Sequence, residues 1–372
     1  MDNLDPKYFD YAASCPPFTE ALEKFTDISR KFFANPSAIH GQGRQVTELM
    51  NEQKKRFCDL LNFSDGRLLL CSSATEANNT VIEGFIHKYP TGRILIAEDV
   101  HDSVWYAVQK YPAVADVLKI DADGSIRPES LLKAVTKGNM LVCFNHVCNE
   151  TGTIHNVARI GAICHANNIK LLIDGTQAIG HIPIDMNNIP FNYYTFSAHR
   201  FGGVRSMGGI MLRDEDFIPL IRGGRQEWNL RGGTENVAGL GAAVAALTRC
   251  LDHQNEEIPR LTELKHDFMR QIRGLVPGVL VNTPEISLPG LLSLSFMGCK
   301  GNEIVTTLSL SGFSASTGSA CHANQVEPSR IIQAIWRNKK KAIGAIRISM
   351  GYGTTQESVD ALLEALVEYV RK

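Results

Sequence analysis

Between residues 67 and 213 the chain alternates short apolar runs with longer stretches in which apolar residues recur at helical spacing. The runs are Arg67-Leu-Leu-Leu-Cys71, Arg93-Ile-Leu-Ile-Ala97, Met140-Leu-Val-Cys-Phe144, Lys170-Leu-Leu-Ile-Asp174, Tyr193-Tyr-Thr-Phe196 and Gly209-Ile-Met-Leu212. Runs that are apolar on both faces suit strands buried from both sides, and their alternation with helical patterns predicts a largely parallel α/β sheet covered by helices. Ligands of such sheets sit beyond the carboxyl ends of the strands. A long helical pattern from Glu235 through about Arg273 leads to Leu291-Leu-Ser-Leu-Ser-Phe296, Ile346-Arg-Ile-Ser349 and a terminal helix near Gln356 to Arg371. This predicts a smaller α+β domain after the sheet.

The length of 372 residues fits that division, since single cores seldom grow so large. Hydrophobic residues at 44%, charged residues at 21% and a formal charge of −1 describe a soluble protein without the basic excess a nucleic-acid surface requires. Nine cysteines stand singly at 15, 58, 71, 143, 148, 164, 250, 299 and 321, with no CxxC pair, so a structural metal is not expected and a reducing compartment is. No run of about 18 uncharged apolar residues occurs, and Met1-Asp2-Asn3-Leu4-Asp5 has neither a basic region nor an apolar run, so the cytoplasm is the expected location and no membrane contact is expected. No repeat is evident, and Lys339-Lys340-Lys341 reads as a solvated turn.

The polar residues that carry chemistry fall where the runs end. Ser72-Ser73-Ala74-Thr75 follows the first run and opens a helix, whose free N–H groups, with the Thr75 hydroxyl, can receive a phosphate. Taken alone, that is an ordinary N-cap. Asp174 closes the fourth run, where a carboxylate can keep a pyridinium nitrogen protonated or cap the turn that follows, and Gln177 can donate to a neighbouring phenolic oxygen. Ser197-Ala-His199-Arg200 follows the fifth run.

In order and spacing, nine segments resemble the cysteine desulfurases of the class V aminotransferase group, which share the fold type I pyridoxal-phosphate architecture. They are Tyr8-Phe-Asp-Tyr-Ala-Ala13, Asn35-Pro-Ser-Ala-Ile-His40, Ala74-Thr-Glu-Ala-Asn-Asn79, His146-Val-Cys-Asn-Glu-Thr-Gly152, Asp174-Gly-Thr-Gln177, Ser197-Ala-His-Arg200, Arg231-Gly-Gly-Thr-Glu-Asn236, Ser316-Thr-Gly-Ser-Ala-Cys321 and Ile346-Arg-Ile-Ser349. The resemblance implies a large cofactor-binding domain over 16–252 with a mainly parallel sheet, a smaller α+β domain made of 1–15 and 253–372 that carries the cysteine loop, and pyridoxal 5′-phosphate as cofactor. It implies that Ala74, Thr75, Ser197 and His199 hold the cofactor phosphate, that Thr234 reaches the phosphate of a neighbouring subunit in a homodimer, and that His101 stacks on the pyridine ring. It places Asn149 near the substrate carboxylate and the cofactor oxygen, and assigns the carboxylate grip to Arg347, whose planar fork suits it.

Cys321 is the implied sulfur carrier. A lone cysteine is ordinarily a small buried hydrophobe, but Thr317-Gly-Ser-Ala320 offers little bulk to bury it, and the length of His322 to Ser329 resembles the branch with an extended cysteine loop. The implied reaction turns L-cysteine into L-alanine, with a persulfide on Cys321 handed to a sulfur-acceptor protein. A related enzyme such as a selenocysteine lyase shares most of this inventory.

One residue departs from the pattern. Arg200 stands where the family carries its cofactor lysine, and a guanidinium stays protonated and is a poor nucleophile. No internal aldimine is expected, and turnover is in doubt. The chain then either holds the cofactor without a covalent bond or lets Arg200 pair with the phosphate, a carboxylate or Asp174 and exclude the ring. A noncatalytic partner in sulfur transfer is the corresponding alternative function.

Overall fold

The computed structural model describes residues 5–135, 138–318 and 328–371. Helices α1 (Thr19–Lys31) and α2 (Gly41–Asp59) precede the alternation predicted above. It runs β1 (Arg67–Cys71), α3 (Ala74–Lys88), β2 (Arg93–Ala97), α4 (Asp102–Gln109), β3 (Ala115–Leu118), α5 (Pro128–Ala134), β4 (Asn139–Asn145), α6 (Val157–Ala166), β5 (Lys170–Asp174), β6 (Tyr193–Ser197) and β7 (Gly208–Leu212). The seven strands lie in the order β1-β7-β6-β5-β4-β2-β3. Four neighbouring pairs are parallel, and β7 alone runs against the other six, antiparallel to both β1 and β6. The link from β6 to β7 holds no crossover helix, and a parallel return needs one. β3 has no counterpart among the runs read from the sequence: at the sheet edge only Leu118 of its four residues is buried, so it lacks the continuous apolar signal of its neighbours.

The remainder comprises α7 (Val237–Leu275), β8 (Leu280–Val281), β9 (Leu291–Ser295), α8 (Gly301–Leu310), α9 (Arg330–Trp336), α10 (Lys339–Ala342), β10 (Ala345–Ser349) and α11 (Gln356–Val370). β10, β9 and β8 form an antiparallel sheet. The solvated turn expected at Lys339 to Lys341 is instead the body of α10, because the Asn338 side chain accepts from the Lys340 N–H and caps a short helix there.

α7 belongs to both cores. Its first half buries Val237, Leu240, Ala243, Val244 and Leu247 against α1 and the large sheet, and Gly241 lets Ile28 approach so closely that a Cβ would sit 2.2 Å from its Cδ1. Past Pro259 it buries Leu264, Phe268 and Ile272 against Leu292, Leu294, Ile346, Ile348 and Leu362 of the second core. The N-terminal segment also joins the two: Phe9 packs in the second core and pairs with Ser314 and Ser349, while Cys15 N–H donates to the His199 carbonyl.

Lys265 of α7 is buried, donating to Ser287 Oγ at 2.9 Å and the Leu288 carbonyl at 3.0 Å. Burial pushes its pKa down from 10.5 to about 8. The unfolded chain therefore binds the extra proton between those values, and stability should rise with pH across that window by about 3 kcal/mol. Denaturant unfolding of Lys265→Met should lack this rise; parallel pH profiles for the two proteins would refute the assignment.

Candidate functional site

The carboxyl ends of β1, β4, β5 and β6 surround a pocket lined by Ser73, Ala74, Thr75, His101, Asn145, Val147, Asn149, Asp174, Thr176, Gln177, Ser197, His199 and Arg200. Ten of the predicted site residues meet there: Ala74, Thr75, His101, Asn149, Asp174, Gln177, Ser197, His199 and Arg200 line it, and Arg347 stands behind Asn149, donating to its carbonyl at 2.8 Å. Thr234 is exposed and does not line the pocket of its own chain. Cys321 lies outside the described residues.

One wall is the start of α3. Ser73 caps it by accepting from the Glu76 N–H at 3.2 Å, and the Ala74 N–H donates to Ser197 Oγ at 2.7 Å, which ties the helix N-terminus to the end of β6. The positive end of the α3 dipole thus opens beside Thr75 and Ser197. His199 touches Ser14 Oγ through Nδ1 at 3.3 Å; burial, Arg200 and Arg205 push its pKa down to about 4, so it offers a neutral imidazole.

The floor is a hydrogen-bonded chain centred on Asn78, a fully buried residue of α3. Its amide donates to Asp174 Oδ2 at 2.9 Å and to Ser103 Oγ at 3.0 Å, and its oxygen accepts from the Thr195 hydroxyl at 2.7 Å. Ser103 in turn meets His101: its N–H donates to Nδ1 at 3.1 Å and its Oγ lies 2.9 Å from the same nitrogen. Nδ1 is therefore the acceptor and the proton sits on Nε2, while burial lowers the His101 pKa and keeps the ring neutral. Asp174 Oδ1 accepts from the Thr176 N–H at 3.0 Å, so both roles open to Asp174 from sequence, turn cap and pocket carboxylate, are compatible. Asn78→Leu strands the Thr195 hydroxyl and one Asp174 oxygen, and should cost about 3 kcal/mol in denaturant unfolding. A loss below about 1 kcal/mol would mean the chain of bonds is not shared in this way.

Asn145, at the end of β4, fixes the His101 turn from the other side, donating to the Asp99 carbonyl at 2.6 Å and accepting from the His101 N–H at 3.3 Å. Gln177 donates to the Ala12 carbonyl at 2.7 Å, which holds the N-terminal segment against the pocket. Glu150 accepts from Ser329 and lies within 2.9 Å of where a Gly318 Cβ would be; its pKa is raised by burial. Asn78 and Glu150 lie within motifs quoted above, but no role follows from sequence, since helical asparagines and loop acids are ordinarily solvent-facing. Two asparagines in succession within an otherwise apolar helix are the available signal, because asparagine is a poor helix former.

The guanidinium groups complete the site. Arg347 is 2% exposed; Nη2 donates to Asp10 at 2.7 Å, Nη1 to the carbonyls of Asn149 and, at 3.4 Å, Gly318, and Nε is buried without a partner. Arg200 Nε and Nη1 are also buried without hydrogen-bond partners. Burial and the like charge of Arg347 push the Arg200 pKa down to about 10, which leaves it a cation at neutral pH. Its backbone carbonyl accepts from His181 at 2.8 Å. The donor set suits a flat anionic ligand: a helix N-terminus for a phosphate, a carboxylate for a protonated ring nitrogen, and cations for carboxylates. No cluster of three metal-ligating side chains occurs among the described residues, and none of their helices is long and apolar enough to cross a membrane.

Residues 7–362 match the family described as aminotransferase class-V. A cysteine desulfurase IscS of Dictyoglomus turgidum is 33% identical over 372 residues, covering 98% of this chain and 94% of the relative. A solved NifS-like protein superposes with a TM-score of 0.89 at 28% identity, covering 99% of this chain and all of that one. The structure of SspA in complex with cysteine superposes with a TM-score of 0.79 at 25% identity, covering 92% of this chain and 98% of that one.

Proposed function

The chain belongs to the class-V aminotransferase family, and from that membership we propose a pyridoxal-phosphate cysteine desulfurase whose chemistry is interrupted at Arg200. One observation carries this reading: the pocket at the strand ends gathers Asp174, His101, Asn149, Ser197 and His199 around a guanidinium.

The residues present fit the cofactor. The α3 N-terminus, with Thr75, Ser197 and His199, would hold the phosphate; Asp174, steadied by Asn78, would hold the proton on the pyridine nitrogen; neutral His101 would lie against the ring. When bound, pyridoxal phosphate supplies an electron sink for cleaving bonds at an amino acid. The chain then orients the substrate: Arg347, freed from Asp10, takes the α-carboxylate of L-cysteine beside Asn149. Cys321 takes the sulfur and passes it to an acceptor protein, leaving alanine. Thr234, exposed on its own chain, serves the partner subunit of a homodimer. The setting is the cytoplasm.

What the chain lacks is an amine at residue 200. Arg200 has no lone pair to attack the cofactor aldehyde and no capacity to take the α-proton at neutral pH. Arg200 therefore also favours a second reading, a binding partner in sulfur transfer that keeps fold and pocket.

The test uses the Arg200→Lys background. Sulfide and alanine should form there from L-cysteine, and Cys321→Ala added to it should abolish persulfide labelling of the protein. An Arg200→Lys protein that neither takes up pyridoxal phosphate nor releases sulfur overturns the desulfurase reading.

A further inference from the structure

The mechanism above leaves Arg200 as a missing lysine, but the guanidinium has a positive capacity of its own. Its Nε and Nη1 are buried donors without partners, and such groups cost free energy until an acceptor reaches them. The nearby carboxylates meet other donors, Asp174 the Asn78 amide and the Thr176 N–H and Asp10 the Arg347 guanidinium, and neither bonds Arg200 Nε or Nη1. Arg347 presents a second orphan, its buried Nε, and lies close enough to Arg200 for the like charges to oppose each other. Two guanidinium groups with unfilled donors, Arg200 in the pocket wall and Arg347 behind Asn149, form a position for an anion, and a carboxylate can accept from each. The α3 N-terminus, joined to Ser197, provides for an anion at another wall, so the pocket is equipped for a ligand charged at two places.

We propose that Arg200 is a carboxylate-binding residue, and that the pocket selects compounds in which the phosphorylated pyridine is already joined to an α-amino acid. This rests on the cofactor reading of the pocket. Such an adduct brings the phosphate to α3 and the carboxylate between Arg347 and Arg200, which share it. Pyridoxamine phosphate brings the same ring and phosphate with a bare ammonium group, which the two guanidinium groups repel. The protein thus acts as a receptor for a preformed adduct rather than as its maker, and no bond need form or break on binding.

Calorimetric titration of the full chain with two stable probes tests this: phosphopyridoxyl-L-alanine, a reduced adduct that cannot react further, and pyridoxamine phosphate. The adduct should bind about a hundredfold more tightly. In Arg200→Met that preference should shrink about tenfold, and Arg200→Gln, which retains a hydrogen-bond donor without the charge, should fall between. The ratio of the two affinities is the readout, because a general folding defect lowers both together. An unchanged ratio in Arg200→Met and Arg200→Gln, or an equal loss of both ligands, overturns the role of Arg200 while leaving the pocket reading intact. Failure of the unmodified chain to bind either probe overturns the pocket reading itself.

Discussion

Arg200→Lys is expected to raise alanine formation from L-cysteine by about a thousandfold or more, the scale on which enzymes depend on a positioned nucleophile or proton acceptor. Arg200 is a cation at neutral pH even though burial and Arg347 bring its pKa down to about 10. A lysine amine placed there meets the same two influences, and both lower the pKa of an ammonium group. It would therefore lose its proton closer to neutrality than a solvated lysine does. Because only the free amine attacks an aldehyde or accepts a proton, the rate should climb with pH until that lowered pKa is passed. The check is alanine release against pH for the chain and for Arg200→Lys, with the visible spectrum recorded alongside. Equal rates for the two would show that residue 200 does not occupy the nucleophile's place.

Lys54→Met is expected to cost about 3–5 kcal/mol of stability, the effect of leaving a buried charge without its partner. Lys54 Nζ meets Glu227 Oε1 at 2.6 Å, with the Glu227 side chain 1% exposed, and Oε2 accepts from the Leu70 N–H at 3.1 Å. The pair anchors an unusual turn: Glu227, Trp228 and Asn229 all have left-handed backbones, at φ 48°, 56° and 66°. None is glycine, so each costs free energy that surrounding contacts must offset. Those contacts include Trp228, whose ring centroid lies 4.6 Å from Lys54 Nζ and 5.0 Å from the Arg67 guanidinium. Burial already raises the Glu227 pKa, and removing Lys54 should raise it further. The folded state then binds a proton more readily than the unfolded chain, so the deficit should be largest near neutral pH and shrink as pH falls toward the ordinary carboxylate range. Denaturant unfolding at two pH values measures this, and Lys54→Met/Glu227→Leu should recover much of the loss. A single variant as destabilised at low pH as at neutral pH would rule out the buried charge as the cause.

The elements most legible in the sequence are those whose physics is local. The run Lys170 to Asp174 is apolar because β5 is buried on both faces, and Asp174 marks where it emerges into the pocket. Arg200 was visible as a departure because the segment around it, Ser197 to Gly203, fits the pattern on either side. What escaped detection depends on distant residues. Asn78 reads as an ordinary helix residue, and only the fold brings it to Thr195, Ser103 and Asp174 at once. Glu227 resembles any surface acid until Lys54, 173 positions away, is placed against it. The direction of β7 and the edge strand β3 eluded the pattern for a related reason: a strand's orientation follows from its connection, and an edge strand needs only part of its surface to be apolar.

α7 spans 39 residues, about 58 Å at the usual helical rise, and supplies wall residues to both hydrophobic cores. Two units joined by a pliable linker can exchange orientations freely, whereas these share a common beam. Any swing of the small sheet relative to the large one must flex that beam or slip along it. Pro259, where one backbone bond of the helix is missing, lies between its two buried stretches and is the place where bending costs least. A bend at Pro259 would therefore act on the small sheet as a whole, Arg347 on β10 included.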